Sequence, residues 1–122
     1  MWGWKGRSAD HDFPKGFRCQ RIGVQSAIAI ADLPPEQIAA HFREDSETAK
    51  RLLAESYDKR YSPSTYISEE SDGFSVGWIS KRYGRQCERR FSNLEDAATD
   101  YLLFSLGKGR WRQRQDQTVD SN

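Results

Sequence analysis

Apolar and polar residues alternate most regularly between residues 64 and 91. Three short segments there have the two-residue period of a half-buried strand, and their sequences are STYISEE, FSVGWIS and QCERRF. Turn-forming residues separate them, with SDG at 71–73 and YG at 83–84. The pattern therefore predicts a three-stranded antiparallel meander.

The second predicted strand has large apolar residues on one face only. Phe74, Val76 and Trp78 share that face, and Phe91 closes the third strand. We interpret these aromatic side chains as core residues rather than as a binding site. Gly77 lies among them, and a glycine inside a strand indicates a bulge or the close approach of another backbone.

Two segments before the meander have the spacing of amphipathic helices. The first covers residues 36–42 and follows Pro34 and Pro35, which fit a first helical turn because its N–H groups need no intrahelical acceptor. The second begins after Asp45 or Ser46 and reads ETAKRLLAESYDK. Its predicted apolar stripe consists of Ala49, Leu52, Leu53 and Tyr57.

The clearest local signal is the start of a helix after the meander. Ser92 and Glu95 have the spacing of a capping box, in which the serine hydroxyl accepts a hydrogen bond from the Glu95 amide. The helix LEDAATDYLLFSL is predicted to end at Gly107. Its last turn is apolar on nearly every side, so that end is either enclosed or part of a contact surface.

Residues 17–31 contain a further alternation near their end. Ile28 and Ile30 fall on one side, and alanines fall on the other. This spacing favours an additional strand, buried on both faces.

Together these elements predict an α+β domain. We expect an antiparallel sheet of three to four strands, packed against two to three helices in two layers. The single domain is predicted over residues 17–111. A flexible N-terminal arm is expected over residues 1–16, and a disordered C-terminal tail over residues 112–122.

The composition is that of a small globular protein. Of its 122 residues, 36% are hydrophobic and 12% are aromatic, which is enough for one modest core. No apolar run has the length of a signal peptide or a membrane span, so we expect a soluble, cytoplasmic protein. Cys19 and Cys87 lack metal or redox spacing and are expected to be buried thiols, with a disulfide between them as the alternative.

The sequence contains no pattern of a catalytic or cofactor site. A phosphate-binding loop, a dinucleotide-binding fingerprint and an HExxH motif are all absent from it. The two histidines, His11 and His41, have no cysteine, histidine or carboxylate at metal-ligand spacing. We therefore expect a non-enzymatic protein without metal or cofactor. An enzyme whose site is assembled from scattered residues is the third hypothesis.

Charge is unevenly distributed, although the formal net charge is only +1. Residues 32–72 contain ten acidic and five basic residues, a balance of −5, and residues 81–114 contain four acidic and nine basic residues, a balance of +5. We interpret this as an acidic half and a basic half. The two halves are either solvated surfaces that happen to differ in charge, or they steer the protein to a charged partner.

Cationic and aromatic residues are interleaved in the basic half, which suggests two kinds of partner. Arginine, tyrosine and tryptophan anchor protein interfaces, so we predict a protein-binding surface there, with the acidic helix 46–58 as a rival face. The candidate residues are Arg82, Tyr83, Arg85, Arg90 and Trp111. The alternative is a nucleic-acid-binding protein that uses hairpin 81–90 and the basic tail 108–114. A pI of about 7.8 is low for that function.

Residues 74–106 resemble part of several small bacterial immunity proteins. The likeness lies in a β-hairpin that leads into the helix sequence FSNLEDAATDYLLFSLG. Such proteins bind and neutralise a toxin from a contact-dependent or secreted polymorphic toxin system. The resemblance implies a cytoplasmic, non-enzymatic inhibitor that masks or distorts the active site of a cognate toxin. It carries over no fixed binding residues to this chain.

Overall fold

The computed structural model describes residues 13–14, 16–58 and 63–111 and combines helices with one sheet. The elements are α1 Gln25–Ile28, α2 Pro35–Glu44, α3 Ser46–Asp58, β1 Ser64–Glu70, β2 Gly73–Ser80, β3 Gly84–Phe91 and α4 Leu94–Ser105. The strands form an antiparallel sheet in the order β1-β2-β3. The predicted α+β class and the predicted meander are confirmed.

The buried face of the sheet lies against α4, which contacts all three strands. Trp78 and Phe91 are only 2% and 4% exposed, and Phe74 packs against them as a partly buried side chain. Their predicted role in the core is confirmed. Helix α3 packs beside β1, and α2 packs on α3 and α4.

Helix α3 closes the outer edge of the sheet at β1. The Ser56 hydroxyl accepts a hydrogen bond from the Ile67 N–H at 2.9 Å, and the Tyr57 hydroxyl accepts one from the Glu69 N–H at 2.9 Å. These bonds satisfy backbone groups that an edge strand otherwise presents to another chain. The protein's own helix therefore opposes the addition of a foreign strand at β1.

Gly77 marks a β-bulge between β2 and β3. Val76 pairs with Arg89 and Trp78 pairs with Gln86, so β3 has one more residue than β2 in this interval. A methyl group at Gly77 would lie 2.9 Å from the Gln86 carbonyl oxygen, which is closer than a side chain tolerates. Both parts of the prediction for Gly77, the bulge and the close backbone approach, are confirmed.

Residues 25–31 form a short helix and turns, and residues 17–24 belong to no helix or strand, so the strand predicted over residues 17–31 is wrong. The backbone makes local bonds, such as the Ile28 N–H to the Val24 carbonyl at 3.0 Å. Ala27 and Ile30 are buried whereas Ile28 is 45% exposed, so burial follows a three-residue spacing. The alanines explain the difference, because alanine has the highest helix propensity and adds little packing to a strand.

The N-cap of α4 is Asn93, one residue after the predicted Ser92. The Asn93 Oδ1 accepts a hydrogen bond from the Asp96 N–H at 2.8 Å, and its Nδ2 donates to Asp96 Oδ2 at 3.2 Å. Both Ser92–Glu95 and Asn93–Asp96 have the three-residue spacing of a capping box. The predicted pair is therefore wrong by one position, because spacing alone does not fix where the helix begins.

Replacing Asn93 with alanine is expected to lower the free energy of unfolding by about 1 kcal/mol, because the Asp96 N–H loses its acceptor. Ser92→Ala is the matched control, and its expected effect is below about 0.5 kcal/mol because Ser92 is exposed. Urea unfolding of both variants measures the difference. Equal losses in the two variants would contradict the assignment of Asn93 as the cap.

Helix α4 stops at Gly107, as predicted. Gly107 has a φ of 72°, its N–H donates to the Phe104 carbonyl at 3.0 Å, and the Lys108 N–H donates to the Leu103 carbonyl at 2.9 Å. These bonds form a Schellman motif. Leu103 and Phe104 are 3% and 0% exposed, so the apolar last turn is enclosed rather than a contact surface.

Phe13, which lies inside the predicted arm, packs on the described part of the chain. The Phe13 ring lies 4.7 Å from the Phe17 ring and 5.4 Å from the Phe104 ring, measured between centroids. These contacts cover the end of α4. The remaining predictions for the arm, at residues 1–12, and for the tail, at residues 112–122, lie outside the described residues.

Candidate partner-binding surface

The turn between β2 and β3 is exposed and carries two of the predicted site residues. Lys81, Arg82 and Tyr83 are all exposed, and Tyr83 has 65% of its surface accessible. The Arg82 Cζ atom lies 5.5 Å from the centroid of the Tyr83 ring, a cation–π arrangement. We call Lys81–Tyr83 the hairpin tip.

Flanking residues hold the hairpin tip in place. The Tyr83 N–H donates to Ser80 Oγ at 3.0 Å, and Ser80 pairs with Gly84 across the hairpin. Gly84 has a φ of 70°, in the left-handed region that glycine enters without strain. Arg82 and Tyr83 therefore project from a hydrogen-bonded turn.

Arg85 is directed towards acidic residues of the same chain. Its Nη1 lies 3.2 Å from Glu88 Oε2 and 3.4 Å from Glu70 Oε2. The guanidinium carbon is 4.9 Å from the centroid of the Tyr66 ring, and the Tyr66 hydroxyl donates to Glu88 Oε2 at 2.7 Å. We call Tyr66, Glu70, Arg85 and Glu88 the Arg85 network. The two carboxylates therefore neutralise Arg85, which we predicted from the sequence to contact a partner.

Hydrogen bonds and burial together set the protonation of the Arg85 network. Ser75 Oγ donates to Glu70 Oε2 at 2.9 Å, and this bond, with the nearby Arg85 charge, lowers the pKa of Glu70. Burial raises the pKa of Tyr66, and its hydrogen bond to Glu88 raises it further. Near neutral pH, Glu70 is therefore ionised and Tyr66 is a hydrogen-bond donor.

Glu70 is expected to make stability depend on pH in the acid range. Folding lowers the pKa of Glu70, so its contribution to the free energy of unfolding is complete at pH values above its ordinary pKa of 4.5. That contribution is lost as the pH falls through the lowered pKa of the folded protein. Glu70→Gln is therefore expected to be less stable than the unmodified protein at neutral pH, with a difference that shrinks on acidification. Thermal unfolding of both proteins across this range measures it. A difference that is constant down to strongly acid pH would contradict the expectation.

Ion pairs among the described residues join the acidic and the basic segments of the sequence. They are Arg85–Glu70, Arg90–Asp72 and Lys108–Asp32. In each pair the carboxylate comes from residues 32–72 and the cation from residues 81–114. The fold thus sets part of the charge of each segment against the other, which leaves less of it for a partner.

Trp111 takes part in an internal cluster with the neighbouring arginine. Arg110 donates to both carboxylate oxygens of Asp100, through Nη2 at 2.6 Å and Nε at 2.9 Å, and these side chains are 1% and 0% exposed. The Trp111 N–H donates to Asp100 Oδ1 at 2.8 Å, and its indole N–H donates to Asp96 Oδ1 at 3.0 Å. We call Asp96, Asp100, Arg110 and Trp111 the C-terminal clasp.

Of the five predicted site residues, the structure brings only Arg82 and Tyr83 together at an exposed place. Arg85 belongs to the Arg85 network, and Arg90 is paired with Asp72 near the far end of β3. Trp111 is partly buried in the C-terminal clasp.

Sequence reasoning missed the buried Asp100–Arg110 pair. Asp100 lies on the same face of α4 as Ala97 and Phe104, which are three residues before it and four after it. A charge inside an apolar stripe indicates a buried partner of opposite charge. The sequence contained this signal, but the choice of Arg110 among many cations depends on the fold.

The described residues contain no group of three or more His, Cys, Asp or Glu side chains that could hold a metal ion. His41 lies 3.7 Å from Asp45 on the surface of α2, at helical spacing.

No disulfide joins Cys19 and Cys87. The expectation of buried thiols is wrong: Cys19 is exposed in a segment that runs over the end of α4, and Cys87 is only half-buried.

Comparisons with protein-family models, curated proteins and solved structures find no match. Among the described residues, no helix is long and apolar enough to cross a membrane. The geometry of the hairpin tip and the pairing of the charges around it are therefore the observations that bear on function.

Proposed function

We propose that this protein is a non-enzymatic binding module that holds one protein partner in a stoichiometric complex. The observation that carries the proposal is the exposed Arg82–Tyr83 pair on a hydrogen-bonded turn. Arginine and tyrosine are prominent among the side chains that dominate protein interfaces. Because the turn is already ordered, a partner that contacts it loses less conformational entropy on binding.

The internal ion pairs favour a protein over a nucleic acid as the partner. A nucleic-acid site needs several cations that neutralise phosphates. Arg85, Arg90 and Lys108 already have acidic neighbours in the chain, and Arg110 is buried. Residues 112–114 of the basic tail lie outside the described residues. Most described cations of the alternative site would therefore have to leave a carboxylate to reach a phosphate.

Within this class, we propose an immunity-type inhibitor that acts on a bacterial toxin in the cytoplasm. The resemblance of residues 74–106 supports this role, as does the arrangement in which β2 and β3 lead into the capped helix α4. In this role the protein covers or distorts the toxin's active site. One copy of the protein is then needed for each toxin molecule.

Pull-down of the tagged protein from its native lysate tests the proposal. The lysate is divided, and one half is treated with nuclease before capture. We expect the same single protein to be recovered with the tagged protein from both halves, at the same stoichiometry in each. Recovery that collapses after nuclease treatment would show that nucleic acid holds the complex together, and the proposal would fail.

A further inference from the structure

We infer that the hairpin tip anchors the protein in an acidic recess of its partner, with Arg82 on a partner carboxylate and Tyr83 packed beside it. The inference rests on the proposed function and deepens it by naming the chemistry of the partner site. That site contains at least one Asp or Glu side chain, in a depression wide enough for a β-turn. Charge, shape and order of the hairpin tip each support this assignment.

Arg82 has no carboxylate partner among the described residues. Its described contact is with the Tyr83 ring, whereas Arg85 and Arg90 on the same hairpin are paired with acidic side chains. A guanidinium binds a carboxylate through two parallel hydrogen bonds, which makes this pair both strong and directional. We therefore expect the counterion of Arg82 to come from the partner.

The shape of the hairpin tip fits a recess better than a flat surface. Only three residues separate Ser80 from Gly84, which pair across the hairpin, so the projection is narrow. Tyr83 stands at its end with 65% of its surface accessible. Large aromatic side chains contribute most to binding when a pocket removes them from water on all sides.

Order in the free turn is expected to contribute to affinity, and Gly84 allows a direct test. A side chain at Gly84 would meet no atom within 4 Å, but its φ of 70° is strained for residues other than glycine. Gly84→Ala is expected to weaken binding about fivefold, because the strained turn leaves its bound conformation. Gly84→Asn is expected to weaken binding less, because asparagine tolerates the left-handed backbone conformation. Equal affinity in the two variants would contradict the contribution of turn order.

The acidic helix α3 is the rival face, and its features support docking less well. Tyr57 is 46% exposed, but its hydroxyl is already occupied by the Glu69 N–H. On the same helix, Glu47 lies 3.7 Å from Arg51, so acid and base alternate on the exposed side. Helix α3 therefore carries charges of both signs, whereas the charged residues of the hairpin tip are both cations.

Photo-crosslinking in living cells tests the inference on both faces. Benzoylphenylalanine replaces Tyr83 in one variant and Tyr57 in the other, because both positions are exposed tyrosines, one in the basic segment and one in the acidic segment of the sequence. Mass spectrometry identifies the crosslinked segment. We expect an adduct from position 83 with a protein segment that contains Asp or Glu, and none from position 57.

Charge variants then test the role of Arg82. Arg82→Glu is expected to lower the affinity of the crosslinked partner by more than about 30-fold, the size of a strong interface anchor. Arg82→Lys is expected to lose less, since lysine keeps the charge but not the paired hydrogen bonds. Exchange of the partner carboxylate for lysine should restore part of the binding of Arg82→Glu. Lys50→Glu, an equal charge change at an exposed position of α3, is the control and should bind normally.

The remaining outcomes separate the inference from the proposed function. Protein adducts from position 57 alone would contradict the inference and leave the proposed function standing. Normal affinity of Arg82→Glu would do the same. No adduct from either position would contradict the inference, and the pull-down would then decide the proposed function. A nucleic-acid adduct from position 83 would contradict both.

Discussion

Asp100→Ala is expected to lower the free energy of unfolding by about 3–5 kcal/mol. The reason is the position of Arg110, which is 1% exposed and donates to both carboxylate oxygens of Asp100. Removal of the carboxylate leaves a buried guanidinium without a counterion, and the Trp111 N–H loses its acceptor. Urea unfolding, followed by far-ultraviolet circular dichroism, measures the change.

Glu47→Ala is the control for this prediction. Glu47 also pairs with an arginine, but the two side chains are 67% and 65% exposed and lie 3.7 Å apart. Its removal is expected to change stability by less than about 1 kcal/mol, because water screens an exposed pair. If Asp100→Ala were as mild as Glu47→Ala, the C-terminal clasp would not be a buried ion pair.

Phe104→Ala is expected to destabilise the protein by a similar amount, about 3–5 kcal/mol. The Phe104 ring is fully buried and stacks on Phe17, with centroids 5.2 Å apart and an angle of 15° between the rings. The Cζ atom of the Arg110 guanidinium lies 4.0 Å from the centroid of the same ring. The substitution therefore leaves a cavity where the N-terminal segment, α4 and the C-terminal clasp meet.

Phe104→Leu distinguishes destabilisation by a cavity from destabilisation by any substitution at this position. Leucine fills more of the same space and is expected to lose about half as much stability as alanine, or less. Thermal unfolding of both variants gives the comparison. A loss below about 1 kcal/mol for Phe104→Ala would mean that the end of α4 is not enclosed, and the apolar last turn would again be a candidate contact surface.

The sheet could be predicted from the sequence because its signals are local. Alternation in β2 places Val76 and Trp78 on one face, and the turn residues at 71–73 and 83–84 mark its limits. The glycine inside β2 even located the bulge. The strand predicted at residues 17–31 was wrong, because an isoleucine–alanine alternation fits a strand and a helical turn equally well. Tertiary packing decided the outcome by burying Ala27 and Ile30.

The candidate site could be predicted only in part, for a related reason. Arg82 and Tyr83 are neighbours in sequence within a turn, so their exposure and mutual contact follow from local structure. The partners of Arg85 and Arg90 depend on strand register, because Glu70 and Asp72 reach them across the sheet. Charge counting along the chain consequently overestimated the cations that are available to a partner.

The described residues form a packed scaffold that carries the exposed hairpin tip. The enclosed end of α4 and the C-terminal clasp hold the helix on the sheet, and the sheet holds the hairpin tip. Scaffold variants such as Asp100→Ala should therefore impair stability first and binding only through unfolding. Variants at Arg82 should impair binding while stability is kept.

Hydrogen exchange of the unmodified protein, alone and saturated with the partner recovered by pull-down, tests the central claim most directly. Amide exchange is followed by mass spectrometry over peptides that cover residues 78–86 and 46–58. The account predicts slower exchange on binding in residues 78–86 and no change in residues 46–58. Slower exchange in residues 46–58 with an unchanged hairpin would contradict it, because the partner would then be held by α3.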